Sequence, residues 1–184
     1  VDLAQSVISV NPDSIVADDV TTATITIQLK DSQGNNLDKS AGSVSLHFNN
    51  GNPSIGIASA VIDHQNGSYT ATIRSKVANK TEFIGFALEG DVSPAVPAEL
   101  RYIAGNVDYT TSTITASPMT IEADGETQST ITVQLKDAFN NDILTPTEIA
   151  VVTLDRTTDI GVFSPANGQF SYQGNGQYVG QMTS

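Results

Sequence analysis

Apolar and polar residues alternate with a period of two along several short stretches of the chain. In TATITIQLK the alternation places apolar side chains on one face and Thr, Gln and Lys on the other, which predicts a half-buried β-strand. The segments STITVQLK, SVSLHF and SYTATIR show the same pattern. The residues predicted to face the core are Ala23, Ile25, Ile27, Leu29, Val44, Leu46, Phe48, Tyr69, Ala71, Ile73, Ile131, Val133 and Leu135.

Turn-forming clusters separate these stretches. DSQGNN, NNGNPS and HQNGS are rich in Gly and Asn, which tolerate the positive φ that hairpin and bulge positions require. No segment keeps a helical period for more than about two turns. Short strands at this density, with Gly, Asn and Pro between them, predict an all-β chain of immunoglobulin-like β-sandwiches.

The chain contains an internal repeat. A shift of 106 residues pairs Val1 with Val107 and Leu37 with Ile143, and 17 of these 37 pairs are identical. Farther along, NGSYTATIRS faces NGQYVGQMTS, which pairs Tyr69 with Tyr178. A match this dense indicates duplication and predicts two tandem modules, residues 1–106 and 107–184.

The second copy is the shorter one. After Ser75 the first copy continues with about thirty residues that contain two more apolar runs, whereas the second copy ends at Ser184, the counterpart of Ser75. We therefore expect the second sandwich to lack its last two strands in this chain. Either the native chain continues past Ser184, which we favour, or a partner supplies the strands by β-augmentation. The first residue is Val1 and not Met, so we interpret the chain as a piece of a longer protein.

The joint between the modules is short. LRYIAGNVDYTTS runs from the last strand of the first copy to the first strand of the second with one Gly and no spacer rich in Pro or Ser. A flexible tether would need more Gly or Ser. We therefore expect limited freedom between neighbouring modules and an extended, fairly stiff rod.

Composition narrows the functional classes. The formal charge is −12, from 20 acidic and 8 basic residues, which disfavours nucleic acid and anionic membrane surfaces as partners. Cysteine is absent, so disulfides and thiolate metal sites are excluded. No apolar run approaches the roughly 18 residues of a membrane helix, so we expect no membrane insertion by this segment.

The acidic residues suit turns better than catalysis. Asp18 and Asp124 are interpreted as turn caps, and Asp31 and Asp137 open equivalent turns in the two copies. Their surroundings fall short of a calcium loop, and neither His47 nor His64 has a second ligand at zinc-like spacing. No nucleophile motif is present. The sequence therefore predicts no enzyme, no cofactor and no metal.

Two segments that the copies do not share are candidate binding surfaces, because loops on a rigid sandwich often carry binding residues. One is the basic cluster around VANKTEF, with Arg74, Lys76 and Lys80. The other is the Asn-rich loop FNNGNPSIG, whose candidate residues are Asn49, Asn50 and Asn52. The alternative for both segments is an ordinary solvated face.

The order of ISVNPDSIVAD, TATITIQLKDSQGNN and NGSYTATI resembles group 1 of the bacterial immunoglobulin-like modules, which occur in tandem in the invasin and intimin adhesins. The second copy carries the Ala-Asp-Gly step of that family at residues 123–125, whereas the first has Asp19 in place of the Gly. The resemblance implies extracellular spacer modules on the surface of a bacterium, anchored in the outer membrane by another part of the chain.

Two other functions are open at this stage. The first module could bind a host cell-surface or matrix protein directly through its loops. The chain could also be an accessory module of a secreted polysaccharide-degrading enzyme. The latter use needs exposed aromatic platforms, and the chain has no Trp, which disfavours it.

Overall fold

The computed structural model describes residues 1–49, 54–145, 161–164 and 170–184. The chain divides into two compact units, Val1–Ile103 and Ala104–Ser184. Over the described residues the regular elements are β-strands in open sheets and none is an α-helix, which confirms the predicted all-β fold. In the same residues no helix has the length and apolar character needed to cross a membrane.

The first unit is a sandwich of two sheets. One sheet has the order β1-β3-β7-β5, with β6 also paired to β7, and the other has the order β2-β10-β8-β4, with β9 also paired to β8. The pairs are antiparallel except for the parallel pair of β2 with β10. The strands are β1 (Asp2–Asn11), β2 (Ser14–Val16), β3 (Ala23–Lys30), β4 (Val44–Phe48), β5 (Ile57–Ala58), β6 (Ile62–Asp63), β7 (Ser68–Arg74), β8 (Lys80–Leu88), β9 (Asp91–Val92) and β10 (Ala98–Ile103).

The core of the first unit lies between its two sheets. Ile27, Leu29 and Tyr69 of one sheet pack in a single cluster with Val44 and Phe86 of the other. All predicted inward residues of β3 and β7 are buried, because the period of two aims every second side chain at the facing sheet. In β4 only Val44 is fully buried, and Leu46 and Phe48 are partly exposed.

Both units fasten their first strand in the same way. The hydroxyl of Ser6 donates to the carbonyl of Asp2 at 2.7 Å and accepts from the N–H of Lys30 at 3.0 Å. In the second unit Ser112 makes the equivalent bonds to Asp108, at 2.8 Å, and Lys136, at 3.0 Å. The identity of these residues between the copies therefore has a structural cause.

The described part of the second unit forms one sheet with the order β11-β12-β15-β13, with β14 also paired to β15. Its core contains Ile131, Val133, Phe170 and Tyr178, and the ring of Tyr172 lies 5.2 Å from that of Tyr178. The strands are β11 (Thr113–Ser117), β12 (Gln128–Gln134), β13 (Val162–Ser164), β14 (Ser171–Gly174) and β15 (Gln177–Thr183).

The described residues of the second unit include no counterpart of β8 or β10. Those strands follow β7 in the first unit, whereas β15, the counterpart of β7, ends one residue before Ser184. In the first unit β10 pairs with β2 and Ala17 is fully buried. Residues 120–122, the counterpart of β2, form no strand, and Ala123, the counterpart of Ala17, is exposed.

Candidate functional site

The basic cluster of the first unit is organised around Asp19. Arg74, at the end of β7, places its Nε atom 3.1 Å from Oδ1 of Asp19, and the Nζ atom of Lys76 lies 3.2 Å from Oδ2. The hydrogen bond from Arg74 is the main cause of a lowered pKa of the Asp19 carboxyl; partial desolvation opposes it and Lys76 adds to it. Asp19 thus remains ionised and neutralises part of the positive charge predicted for this surface.

The position of Asp19 is one that favours glycine. Its φ is 62°, in the left-handed region, and its counterpart Gly125 has a φ of 74°. Aspartate tolerates this region better than most residues but still adopts it at a cost. The first unit therefore has an acidic side chain at a turn position where the second unit has a glycine. That carboxylate forms ion pairs with the side chains of Arg74 and Lys76.

The other candidate residues lie on or beside β4 and β8. Lys80 is the first residue of β8, is exposed, and makes no ion pair with any residue in the described ranges. Asn49 directly follows β4, and its Oδ1 accepts a hydrogen bond from the N–H of Phe83 at 3.0 Å. Asn50 and Asn52 lie outside the described residues.

Glu82 is a buried carboxylate that the sequence analysis did not identify. It is 0% exposed and accepts hydrogen bonds from the hydroxyl of Ser54 at 2.8 Å and from the N–H groups of Ile55 and Gly56 at 2.6 and 3.2 Å. The hydroxyl of Tyr102 donates to it at 2.5 Å. Desolvation, and secondarily the bond to Glu82, raises the pKa of Tyr102, so that this phenol stays a donor.

Two consecutive residues of β8 therefore hold both ends of the segment from Asn49 to Gly56. Phe83 binds the first residue through its backbone N–H, and Glu82 binds the last three through its carboxylate. Gly56 is required here, because a Cβ atom at this position would lie 2.7 Å from Cγ1 of Ile73. The side chain of Phe83 itself is 44% exposed.

A signal for Glu82 was present in the sequence. In KTEFIGFAL it falls in phase with Ile84, Phe86 and Leu88, so an inward orientation follows from the period of two. A buried carboxylate then needs several donors. The donors themselves could not be predicted, because they come from residues 54–56 and Tyr102, which are distant in sequence.

The interpretation of Asp18 and Asp124 as turn caps is confirmed. Oδ1 of Asp18 accepts from the N–H groups of Val20 and Thr21, and Oδ2 accepts from the Thr21 hydroxyl. Asp124 makes the same three bonds to Glu126 and Thr127. These carboxylates are therefore occupied by their own turns.

The turn role of Asp31 and Asp137 is also confirmed. Oδ1 of each accepts backbone N–H bonds from residues two and four positions later, and the side chain of the asparagine at the fourth position, Asn35 or Asn141, adds a further bond. Asp137 additionally accepts from the N–H of Gly105 at 3.0 Å.

Within the described ranges, no group of three or more His, Asp or Glu side chains could hold a metal ion. His64 contacts the Thr70 hydroxyl through Nε2 at 2.8 Å. What the described residues of the first unit offer is a surface with a partly neutralised basic cluster, the exposed Lys80, which makes no ion pair within those residues, and the exposed Phe83. Such a surface can contact a protein or remain solvated.

A family model described as "Invasin, domain 3" matches residues 2–105 and, a second time, residues 108–184. No curated protein sequence matches the chain. The two matches cover both copies of the repeat and nearly the whole chain, which assigns each copy to this family.

Solved structures with the same fold include bacterial adhesins. The Escherichia coli adhesin FdeC is 26% identical, with a TM-score of 0.61, over 99% of this chain and 56% of its own. Invasin, described as a bacterial integrin-binding protein, is 22% identical with a TM-score of 0.69 over 99% and 34%. Yersinia pseudotuberculosis InvD is 21% identical with a TM-score of 0.66 over 100% and 50%. The chain thus spans between a third and just over half of these structures.

Proposed function

The chain belongs to the family of invasin domain 3, and we propose that its two units are extracellular spacer modules of a bacterial adhesin of the invasin and intimin type. In this role each sandwich is a rigid segment of a stalk that holds a receptor-binding tip away from the outer membrane. The stalk is anchored by a part of the protein outside this chain. The modules themselves need neither a catalytic site nor a cofactor.

The observation that carries this proposal is what the repeat retains. The polar side chains that recur between the copies include those that fasten strands and turns: the pairs Ser6 and Ser112, Asp18 and Asp124, and Asp31 and Asp137. A module selected as a spacer requires its scaffold and nothing further. The basic residues Arg74 and Lys76 of the first unit are paired with Asp19, which reduces their availability for a partner.

A second function has one observation in its favour. Phe83 is exposed on the outer face of β8 beside Asn49, and Lys80 lies at the start of the same strand. Aromatic residues are enriched in protein interfaces. In this alternative the first unit binds a host cell-surface or matrix protein through its loops, with Asn49 and Phe83 at one site, Lys80 at the start of β8, and Asn50 and Asn52, which lie outside the described residues, as further candidates.

The two functions are separated by a binding experiment on purified protein that includes the remaining strands of the second sandwich. Wild type is compared with Lys76→Glu/Lys80→Glu and with Phe83→Ser on cultured host cells and on immobilised matrix proteins. The spacer function predicts binding no stronger than that of an unrelated sandwich for all three proteins. Saturable binding by wild type that either variant abolishes would establish the second function instead. Circular dichroism spectra matching wild type serve as the folding control.

A further inference from the structure

The triplet Asn66-Gly67-Ser68 runs from the connection after β6 into the first residue of β7, and it is an asparagine followed two positions later by a hydroxyl residue. This is the sequence pattern at which sugars are attached to asparagine in secreted proteins. A second such triplet, Asn79-Lys80-Thr81, precedes and enters β8. A pattern this short often occurs by chance in a sequence of this length. The geometry of each triplet therefore has to show whether its asparagine is a suitable acceptor of a sugar.

In the first triplet the acceptor and the hydroxyl are already in contact. The hydroxyl of Ser68 donates to Oδ1 of Asn66 at 2.7 Å, and the N–H of Ser68 donates to the same oxygen at 3.1 Å. Both bonds fall on the amide oxygen. The Nδ2 atom makes no hydrogen bond with any residue in the described ranges, and Asn66 is exposed. The reactive nitrogen is therefore accessible to an enzyme.

The two hydrogen bonds also favour the chemistry. When Nδ2 loses a proton, negative charge collects on Oδ1, and donors aimed at that oxygen stabilise the charge. The hydrogen bond from the Ser68 hydroxyl is the shorter of the two. This gives a physical reason why a hydroxyl residue two positions after the asparagine would increase its reactivity.

The equivalent triplet of the second unit, Asn175-Gly176-Gln177, has no hydroxyl and a different backbone conformation. The φ of Gly67 is 79° and that of Gly176 is 74°, and the carbonyl of each glycine accepts a bond from the leucine at the same position of the repeat, at 2.9 and 3.0 Å. Asn175, however, has a φ of 52°, in the left-handed region, which Asn66 does not adopt. The contact of Ser68 with Asn66 therefore belongs to the turn of the first unit, and this contact and the exposure of its amide are what favour Asn66 as an acceptor.

The second triplet is held differently. Lys80 pairs with Tyr102 and Thr81 pairs with Arg101 in the ladder between β8 and β10. Two of its three residues are therefore fixed in extended strand conformation. An enzyme that must bend the backbone around the acceptor would have to break this ladder, so Asn66 is the better acceptor.

We propose that Asn66 is a site of N-linked glycosylation. In the reaction Nδ2 forms a bond to C1 of a sugar whose C1 is linked to a diphosphate group. The bond from C1 to the phosphate oxygen breaks, its electron pair leaves with the phosphate, and Nδ2 releases one proton. A glycosyltransferase supplies the activated sugar, either as a sugar nucleotide or as a lipid-linked oligosaccharide. The product carries a bulky, hydrophilic group on the surface of the first unit.

The test is mass spectrometry of the full surface protein purified from the bacterium that produces it. Trypsin releases Asn66 in the peptide of residues 40–74, because no Lys or Arg lies between Lys39 and Arg74. Fragmentation that preserves the sugar then assigns the modified residue. One added monosaccharide identifies a sugar nucleotide as donor, and a preassembled oligosaccharide identifies a lipid-linked donor.

Two variants at Ser68 provide the matched comparison. Ser68→Ala removes the hydroxyl and is expected to abolish the modification, whereas Ser68→Thr keeps the hydroxyl and is expected to retain it. An unmodified Asn66 in the wild-type protein would overturn the proposal. A sugar that persists in Ser68→Ala, or one found on Asn79 in place of Asn66, would overturn it as well.

Discussion

The carboxylate of Asp137 accepts a hydrogen bond from the backbone N–H of Gly105 at 3.0 Å, and only 2% of Asp137 is exposed. Its counterpart Asp31 opens the same turn but is only partly buried. One side chain thus performs two tasks in the second unit: it shapes the turn after β12 and holds the residues that precede β11.

Replacement of Asp137 by Ala should destabilise the second unit by about 2–3 kcal/mol, because the N–H groups of Gly105, Phe139 and Asn141 all lose one buried acceptor. Asp31→Ala should cost the first unit less, because water can replace the carboxylate there. Hydrogen exchange followed by mass spectrometry reports on each unit separately. Equal losses in the two variants would contradict the role assigned to burial and to Gly105.

The stability of the first unit should depend strongly on the carboxylate of Glu82. Glu82→Gln keeps the shape but turns an NH2 group towards donors, so we expect a loss of about 1–3 kcal/mol in the stability of the first unit and faster exchange at Ile55 and Gly56. Tyr102→Phe removes one of the donors to Glu82 and should cost less. Denaturant unfolding of the three proteins measures the order. A fully stable Glu82→Gln variant would show that the carboxylate is not needed.

The turn capped by Asp124 should lose stability at acidic pH. The hydroxyl of Thr127, followed by the N–H groups of Thr127 and Glu126, lowers the pKa of Asp124 from 3.8 to about 2. A pKa that is lower in the folded state stabilises the fold above the unfolded value, and this contribution is lost as pH falls through the folded value. The turn should therefore be unaffected above about pH 4 and weaken between pH 4 and 2. Carboxyl titration by NMR tests this, and a midpoint near 3.8 would contradict it.

Asp19→Gly should leave the stability of the first unit nearly unchanged, because relief of the left-handed φ offsets the loss of two exposed ion pairs. The same change removes the ion pairs that Asp19 makes with Arg74 and Lys76. Because the chain is acidic, with a net charge of −12, the measurement is anion-exchange chromatography at neutral pH. Replacement of the exposed Asp38 by Gly changes the net charge equally and serves as the control. Asp19→Gly should elute at lower salt than wild type and also at lower salt than Asp38→Gly, because it exposes a local positive charge as well. Identical retention of the two variants would show that Asp19 does not mask the cluster.

The sequence predicted what depends on local pattern. The period of two identified the core positions of β3 and β7, and the repeat identified turns that recur with the same hydrogen bonds. The sequence did not predict contacts between distant segments. The pairing of Asp19 with Arg74 spans 55 positions, and the donors to Glu82 come from a loop and from β10. Such contacts depend on which strands become neighbours, and a one-dimensional pattern does not contain that information.

The central claim is that these units act as spacers, and module replacement in the full-length surface protein tests it most directly. Residues 1–106 are exchanged for another immunoglobulin-like module of similar length, and adhesion of the bacteria to host cells is measured at equal surface display. The spacer function predicts adhesion equal to wild type, because reach is preserved although every side chain of the first unit is changed. Loss of adhesion in the replaced protein would contradict the claim and assign binding to the first unit.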